Sequence, residues 1–165
     1  MLFRSVHTVD VTVHVTVDDV NDNAPRIVVN TLAAADTSLV HVRENAEIGI
    51  FVAHVTVSDP DAESNGIVNC TISDAESVSR QGRGARASFE LVPQPLQPAH
   101  QRSEADYQLI TSGLPLDREL IDEYNVSVVC RDNGLPVGQN STKYIRVIVD
   151  DENDNAPVFT LTVSK

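Results

Sequence analysis

The sequence is poor in aromatic residues, which make up 4% of it, and it contains no tryptophan. Its two cysteines, Cys70 and Cys130, are too few for the disulfide-dense scaffold of a small secreted module. No stretch approaches the roughly 20 apolar residues of a membrane-spanning helix, and the opening MLFRSVHTVDV lacks the apolar block of a secretion signal. Basic residues are also scarce: 12 Lys and Arg stand against 24 Asp and Glu, for a formal charge of −12. Phosphate backbones are held by clustered Lys and Arg, so this balance argues against a nucleic-acid partner. Five histidines are scattered, none beside a Ser or Cys in a recognisable nucleophile arrangement, and no enzyme is expected. What the chain does hold is 41% apolar residues, mostly Val, Ile, Leu and Ala, enough for a packed core in one domain of its 165 residues.

The ends repeat each other. Residues 18–25 read DDVNDNAP and residues 150–157 read DDENDNAP, 132 residues apart, with seven of eight letters shared. The approaches, VHVTVDD and IRVIVDD, match in pattern too. A period of this length is a domain-sized unit rather than a short solenoid repeat. The expected organisation is therefore the last strand and linker of one unit (1–25), a complete unit (26–150), and a linker with the first strand of a third (151–165).

Alternation by two dominates the chain. Val9, Val11, Val13, Val15 and Val17 share one face of a predicted strand, with Asp10, Thr12, His14 and Thr16 on the other. Seven similar strands are predicted in the complete unit, at 39–42, 50–57, 67–72, 89–92, 107–110, 124–130 and 144–149. No helical period competes. Short β-branched strands separated by Asp59-Pro60-Asp61, Asn65-Gly66 and Asp132-Asn133-Gly134 imply an all-β, seven-stranded Greek-key sandwich. Residues 76–106, with Arg80, Arg83, Arg86, Gly82, Gly84, Pro93 and Pro95, break the pattern and read as a solvated insertion between strands, with a basic contact loop as the alternative.

The acidic residues gather at strand ends. Carboxylates brought together repel unless a cation joins them. Oxygen donors without His or Cys favour a hard ion, and six to eight oxygens suit Ca²⁺. Asp59 and Asp61 at i and i+2 share one side of an extended segment, as do Asp117 and Glu119. The two NDN segments add amide and backbone carbonyls.

Together DxNDNAP twice, DPDAESNG, LDRE at 116–119 and Glu44 in RENAE resemble an extracellular cadherin repeat, in that family's order and over nearly the whole chain. Asn65-Gly66 followed by Val68-Asn69-Cys70, Tyr107-Gln108-Leu109, Glu123-Tyr124-Asn125-Val126-Ser127 and Asp132-Asn133-Gly134-Leu135-Pro136 resemble the protocadherin branch, most closely a fourth repeat. The resemblance implies three Ca²⁺ ions between successive repeats. At the upper junction it assigns Asn21, Asp22, Asn23 (through its carbonyl), Asp59, Asp61, Asn65 and Asp132, with the Val20 carbonyl. At the lower junction it assigns Glu44, Asp117, Glu119 and Asp154, with the Glu152 carbonyl and the pair Asn153 and Asn155. The remaining ligands of each junction would belong to neighbouring repeats.

Alternation places both cysteines toward the core. The resemblance makes their strands neighbours, which leaves two readings open: a Cys70–Cys130 disulfide, or two buried thiols acting as small apolar residues. Asn69-Cys70-Thr71, Asn125-Val126-Ser127 and Asn140-Ser141-Thr142 fit the N-glycosylation triplet, and Asn69 and Asn125 fall on the outward phase of their strands. The function implied is a calcium-dependent, often homophilic cell–cell adhesion module on the extracellular side of the plasma membrane. Its partners would be a same or related cadherin on an apposed cell and the adjacent repeats of its own single-pass receptor. The alternative is a calcium-rigidified spacer with no adhesive surface of its own.

Overall fold

The computed structural model describes residues 9–32, 38–73, 88–94 and 104–159. Among the described residues lie eight strands: β1 (Arg26–Asn30), β2 (Leu39–Arg43), β3 (Phe51–Ser58), β4 (Val68–Ile72), β5 (Phe89–Pro93), β6 (Glu104–Thr111), β7 (Glu123–Asp132) and β8 (Asn140–Asp150). They form two four-stranded sheets, ordered β1-β3-β6-β5 and β2-β8-β7-β4. The sandwich is the expected one, with β1 added to the seven predicted strands. All pairings are antiparallel except β2 with β8, which is parallel. The amino-terminal part of the unit therefore serves both sheets, first through β1 on β3 and then through β2 on β8.

Period-two patterning sends one side of each strand inward. On β3, Val52, Val55 and Val57 are buried while His54, Thr56 and Ser58 alternate outward. A bulge at Phe51–Ala53 offsets that phase at its start, which is why Ala53 is buried as well as Val52. Val126, Val128 and Cys130 of β7 meet Ile145, Val147 and Val149 of β8 in the same core. Burying a Val or Ile contributes about 1.5–3 kcal/mol, so these β-branched rows supply most of the drive to fold. Phe89 and Tyr124 close the gap between sheets edge to face, their rings 5.2 Å apart. Tyr107 reaches across too, its hydroxyl accepting from the Cys70 N–H at 3.2 Å. Cys70 and Cys130 stand opposite each other in register and are joined as a disulfide. Cys130 is fully buried, but Cys70 is only half-buried, less inward than its phase implied.

Residues 9–20 belong to no strand, and Val9, Val11, Val13, Val15 and Val17 are all at least 75% exposed. Among the described residues no sheet packs on their alternating face. Arg80, Arg83 and Arg86 of the predicted insertion, and the strand predicted after residue 159, lie outside the described residues.

Candidate metal centres at the two poles

Strand ends create one cluster at each pole of the sandwich. At the pole where the chain enters, β3 ends at Ser58 and the chain turns through Asp59-Pro60-Asp61, while β7 ends at Asp132. Asp59, Asp61 and Asp132 are all buried. The Asp61 N–H donates to Asp59 Oδ1 at 3.0 Å, which bends the turn and sets the two carboxylates side by side. Asp132 accepts from Gly134 N–H at 2.8 Å and from Gln139 N–H at 3.0 Å. The entering segment lies against this cluster. Asn21 Nδ2 donates to Asp132 Oδ1 (3.3 Å) and to the Val137 carbonyl (3.1 Å), and its own carbonyl accepts from Gln139 Nε2 (2.9 Å). Asn23 donates to Asp61 through its backbone N–H at 3.1 Å and through its side-chain amide. Asn65 donates to Asp19 Oδ2 at 2.9 Å and accepts from the Leu135 N–H at 3.3 Å. Asp22 is exposed at the rim, accepting from Asn23 Nδ2 at 2.7 Å. Gly134 is a requirement of this approach, because a Cβ there would stand 2.0 Å from Asn21 Nδ2.

Two oxygens in this cluster, Asn21 Oδ1 and Asp59 Oδ2, are buried with no hydrogen-bond donor. Burial raises the Asp59 carboxyl above its ordinary range, and the neighbouring charges of Asp61, Asp132 and Asp19 push it further. Buried carboxylates with two unpartnered lone-pair oxygens are compatible with a hard divalent cation, which takes oxygen donors.

The opposite pole is built around Glu44, which follows β2 and is 2% exposed. Glu44 Oε2 accepts from the Arg118 N–H (2.9 Å) and Oε1 from the Glu152 N–H (2.6 Å). These two backbone donors hold its carboxyl below the usual range, against the opposing effects of burial and the Asp117 charge. Carboxylate oxygens of Glu44, Glu119 and Asp151 all lie within 4.8 Å of one another. Arg118 Nη1 pairs with Asp151 Oδ1 at 3.3 Å.

One geometric expectation at this pole is corrected. Asp117 and Glu119 do not share one side of an extended segment, because residues 118–120 form a turn that Asp117 caps. Asp117 Oδ1 accepts from the Leu120 N–H at 2.9 Å, and its carbonyl accepts from Ile121 N–H at 2.8 Å. Glu119 alone of the two joins the Glu44 group. Asp154 Oδ2 accepts from Asn45 Nδ2, next to Glu44, at 2.7 Å, and its Oδ1 accepts from Asn155 Nδ2 at 2.6 Å. Glu152 contributes its N–H to Glu44 and its carbonyl to the Asp154 N–H at 2.7 Å, and Asn153 is exposed beside it. The two linkers are locally alike, since Asp22 N–H donates to the Val20 carbonyl at 2.8 Å in the same way.

Sequence reasoning missed Asp19 and Asp151. Each is the second Asp of the DD doublet that opens its repeat copy, so the 132-residue offset already paired them.

The family model for the cadherin domain matches residues 38–150. Protocadherin gamma-A12 of Homo sapiens is 36% identical over 145 residues, covering 88% of this chain and 13% of that protein. Protocadherin-19 of Danio rerio is 38% identical over 146 residues, covering 88% and 11%. The solved extracellular domain of protocadherin gamma B4 superposes with a TM-score of 0.64 at 31% identity, over 87% of this chain and 19% of that one. The chain thus spans a small part of the length of the relatives it matches.

Proposed function

The chain belongs to the cadherin family, and from that premise we propose that it is a calcium-dependent cell–cell adhesion module of a protocadherin-like receptor, displayed on the extracellular side of the plasma membrane. In this reading residues 26–150 are one complete repeat, flanked by the end of a preceding repeat (1–25) and the start of a following one (151–165). The observation that carries it is the entry pole, where Asp59, Asp61 and Asp132 are all buried and two oxygens, Asn21 Oδ1 and Asp59 Oδ2, lack any donor. Among the described residues no salt bridge reaches those carboxylates.

The entry-pole ligands would be Asn21, Asp22, Asp59, Asp61, Asn65 and Asp132 with the Val20 and Asn23 carbonyls, joined by Asp19. The exit-pole ligands would be Glu44, Asp117, Glu119, Asp151 and Asp154 with the Glu152 carbonyl and the Asn153–Asn155 pair. Bound there, Ca²⁺ supplies positive charge that offsets carboxylate repulsion and ties each linker to its sandwich. The protein's own part is to fix the angle between repeats: Asn21 and Asn23 already bridge the linker to Asp132 and Asp61. An array so stiffened would present its faces to a same or related cadherin on an apposed cell.

Thermal melting tests this directly. A ligand that binds only the folded state adds about 2.7 kcal/mol at a hundredfold excess over its dissociation constant. Extracellular calcium modules bind at roughly 10⁻⁴–10⁻³ M, so millimolar Ca²⁺ should raise the midpoint and chelator should lower it. A midpoint indifferent to both would sink the assignment.

A further inference from the structure

Sheet register brings together two sequence features that lie far apart. Asn69 on β4 stands opposite Arg131 on β7, and Arg131 stands opposite Asn140 on β8. In the next row of the same face, Thr71 stands opposite Val129, and Val129 opposite Thr142. The triplets Asn69-Cys70-Thr71 and Asn140-Ser141-Thr142 therefore run side by side and in the same direction, separated by a single strand. Adjacent strands are about 4.8 Å apart, which puts the two asparagines about 10 Å from each other. Asn69, Thr71, Arg131, Asn140 and Thr142 are all exposed. Asn69 Nδ2 makes one long contact, 3.4 Å to Asn133 Oδ1.

The third triplet differs. Asn125 is half-buried and its Ser127 is fully buried. Asn125 stands opposite Arg146, whose guanidinium forks onto Glu123 at 2.6 and 2.7 Å. A sugar on Asn125 would have to displace that ion pair.

We propose that Asn69 and Asn140 form a paired N-glycosylation site whose two glycans cover the entry-pole half of the outward β2-β8-β7-β4 face. In each transfer the asparagine Nδ2 loses one proton and bonds to C1 of the first sugar. The C1–O bond to the polyisoprenyl diphosphate carrier breaks, and the diphosphate leaves with the electron pair. Two branched oligosaccharides 10 Å apart at their roots leave no room for a protein partner on Arg131 and Val129 between them. The outward face of the other sheet, with His54, Thr56, Asp106 and Gln108, carries no such triplet.

This inference rests on the extracellular reading above, and its test separates the two. The chain is secreted from mammalian cells behind a leader and treated with peptide-N-glycosidase F in ¹⁸O water, and its peptides are mapped. Labelled Asn-to-Asp conversion is expected at positions 69 and 140 and not at 125. Thr71→Ala and Thr142→Ala should each remove one glycan, and the double variant both. A bare protein, a glycan at only one of the two positions, or occupancy at Asn125 overturns the paired site. Melting of the same sample with and without Ca²⁺ reports separately on the calcium reading: a bare protein that still gains stability leaves that reading standing.

Discussion

The two poles of the sandwich use the same acidic chemistry and resolve it in opposite ways. At the exit pole Glu44 is buried, but two backbone N–H groups point at its two oxygens, and its carboxyl is held down. At the entry pole Asp59 is buried among like charges with one oxygen unpartnered, and its carboxyl is pushed up. Glu44 is thus part of the fold's own bonding, tying the 117–119 turn and the departing linker to the end of β2. Asp59 is a group whose charge the fold tolerates without satisfying. Burial alone does not mark a cation site; what the buried carboxylate lacks is the better guide.

That contrast can be broken in several ways. The largest expected effect comes from the Cys70–Cys130 staple, which closes a 60-residue separation. Chain entropy assigns such a loop about 4 kcal/mol, so a Cys70→Ala/Cys130→Ala protein should lose up to that much in urea denaturation. Because Asp132 lies two residues beyond Cys130, calcium affinity at the entry pole should fall more than at the exit pole, as read by titration calorimetry of single-pole variants. Next come amide swaps in chelator, where the poles should give opposite signs. Asp59→Asn removes repulsion and should raise the melting midpoint by a few degrees, while Glu44→Gln weakens two charge-assisted bonds and should lower it. Equal signs would mean that the poles are not electrostatically distinct.

The pH profile in chelator follows from the same shifts. Asp59 holds its proton more tightly folded than unfolded, so its contribution is complete below its ordinary 3.8 and is lost as pH rises through its elevated folded value. Glu44 does the reverse: its contribution is present above its ordinary 4.5 and is lost as pH falls through its lowered folded value. Urea midpoints across this range should show Asp59→Asn flattening the loss on the rising side and Glu44→Gln flattening the acid limb. The smallest effect expected is the coupling between poles. A double-mutant cycle of Asp59→Ala with Glu119→Ala, measured as calcium-dependent stability, should close within about 0.5 kcal/mol, as for sites that share no partners. Strong coupling would place the two residues in one site.

The sandwich was legible because β3, β7 and β8 alternate by two between turn residues. β1 was not: Ile27, Val28 and Val29 are consecutive apolar residues, and on this edge strand only Val29 is fully buried. Its pairing with β3 is a tertiary choice that no local period records. The entry-pole residues were legible as motifs, and the structure joins Asn21 to Asp132 and Asn23 to Asp61. At the exit pole spacing misled. An i, i+2 pair shares a side only in extended chain, and the capped turn after Asp117 sends that residue and Glu119 in different directions. Asp19 and Asp151 were visible in the repeat but carried no distinguishing residue type among so many acids.

The parallel pairing of β2 with β8 has a mechanical consequence. The chain enters at one pole and leaves just beyond Asp150 at the other, so tension along the proposed array would pull β2 and β8 in opposite directions along their common axis. Their five paired rows, from Leu39↔Arg146 to Arg43↔Asp150, are then loaded together in shear. They must fail collectively and cannot be peeled open one at a time, which makes this ladder a clamp against forced unfolding, a rate-governed property.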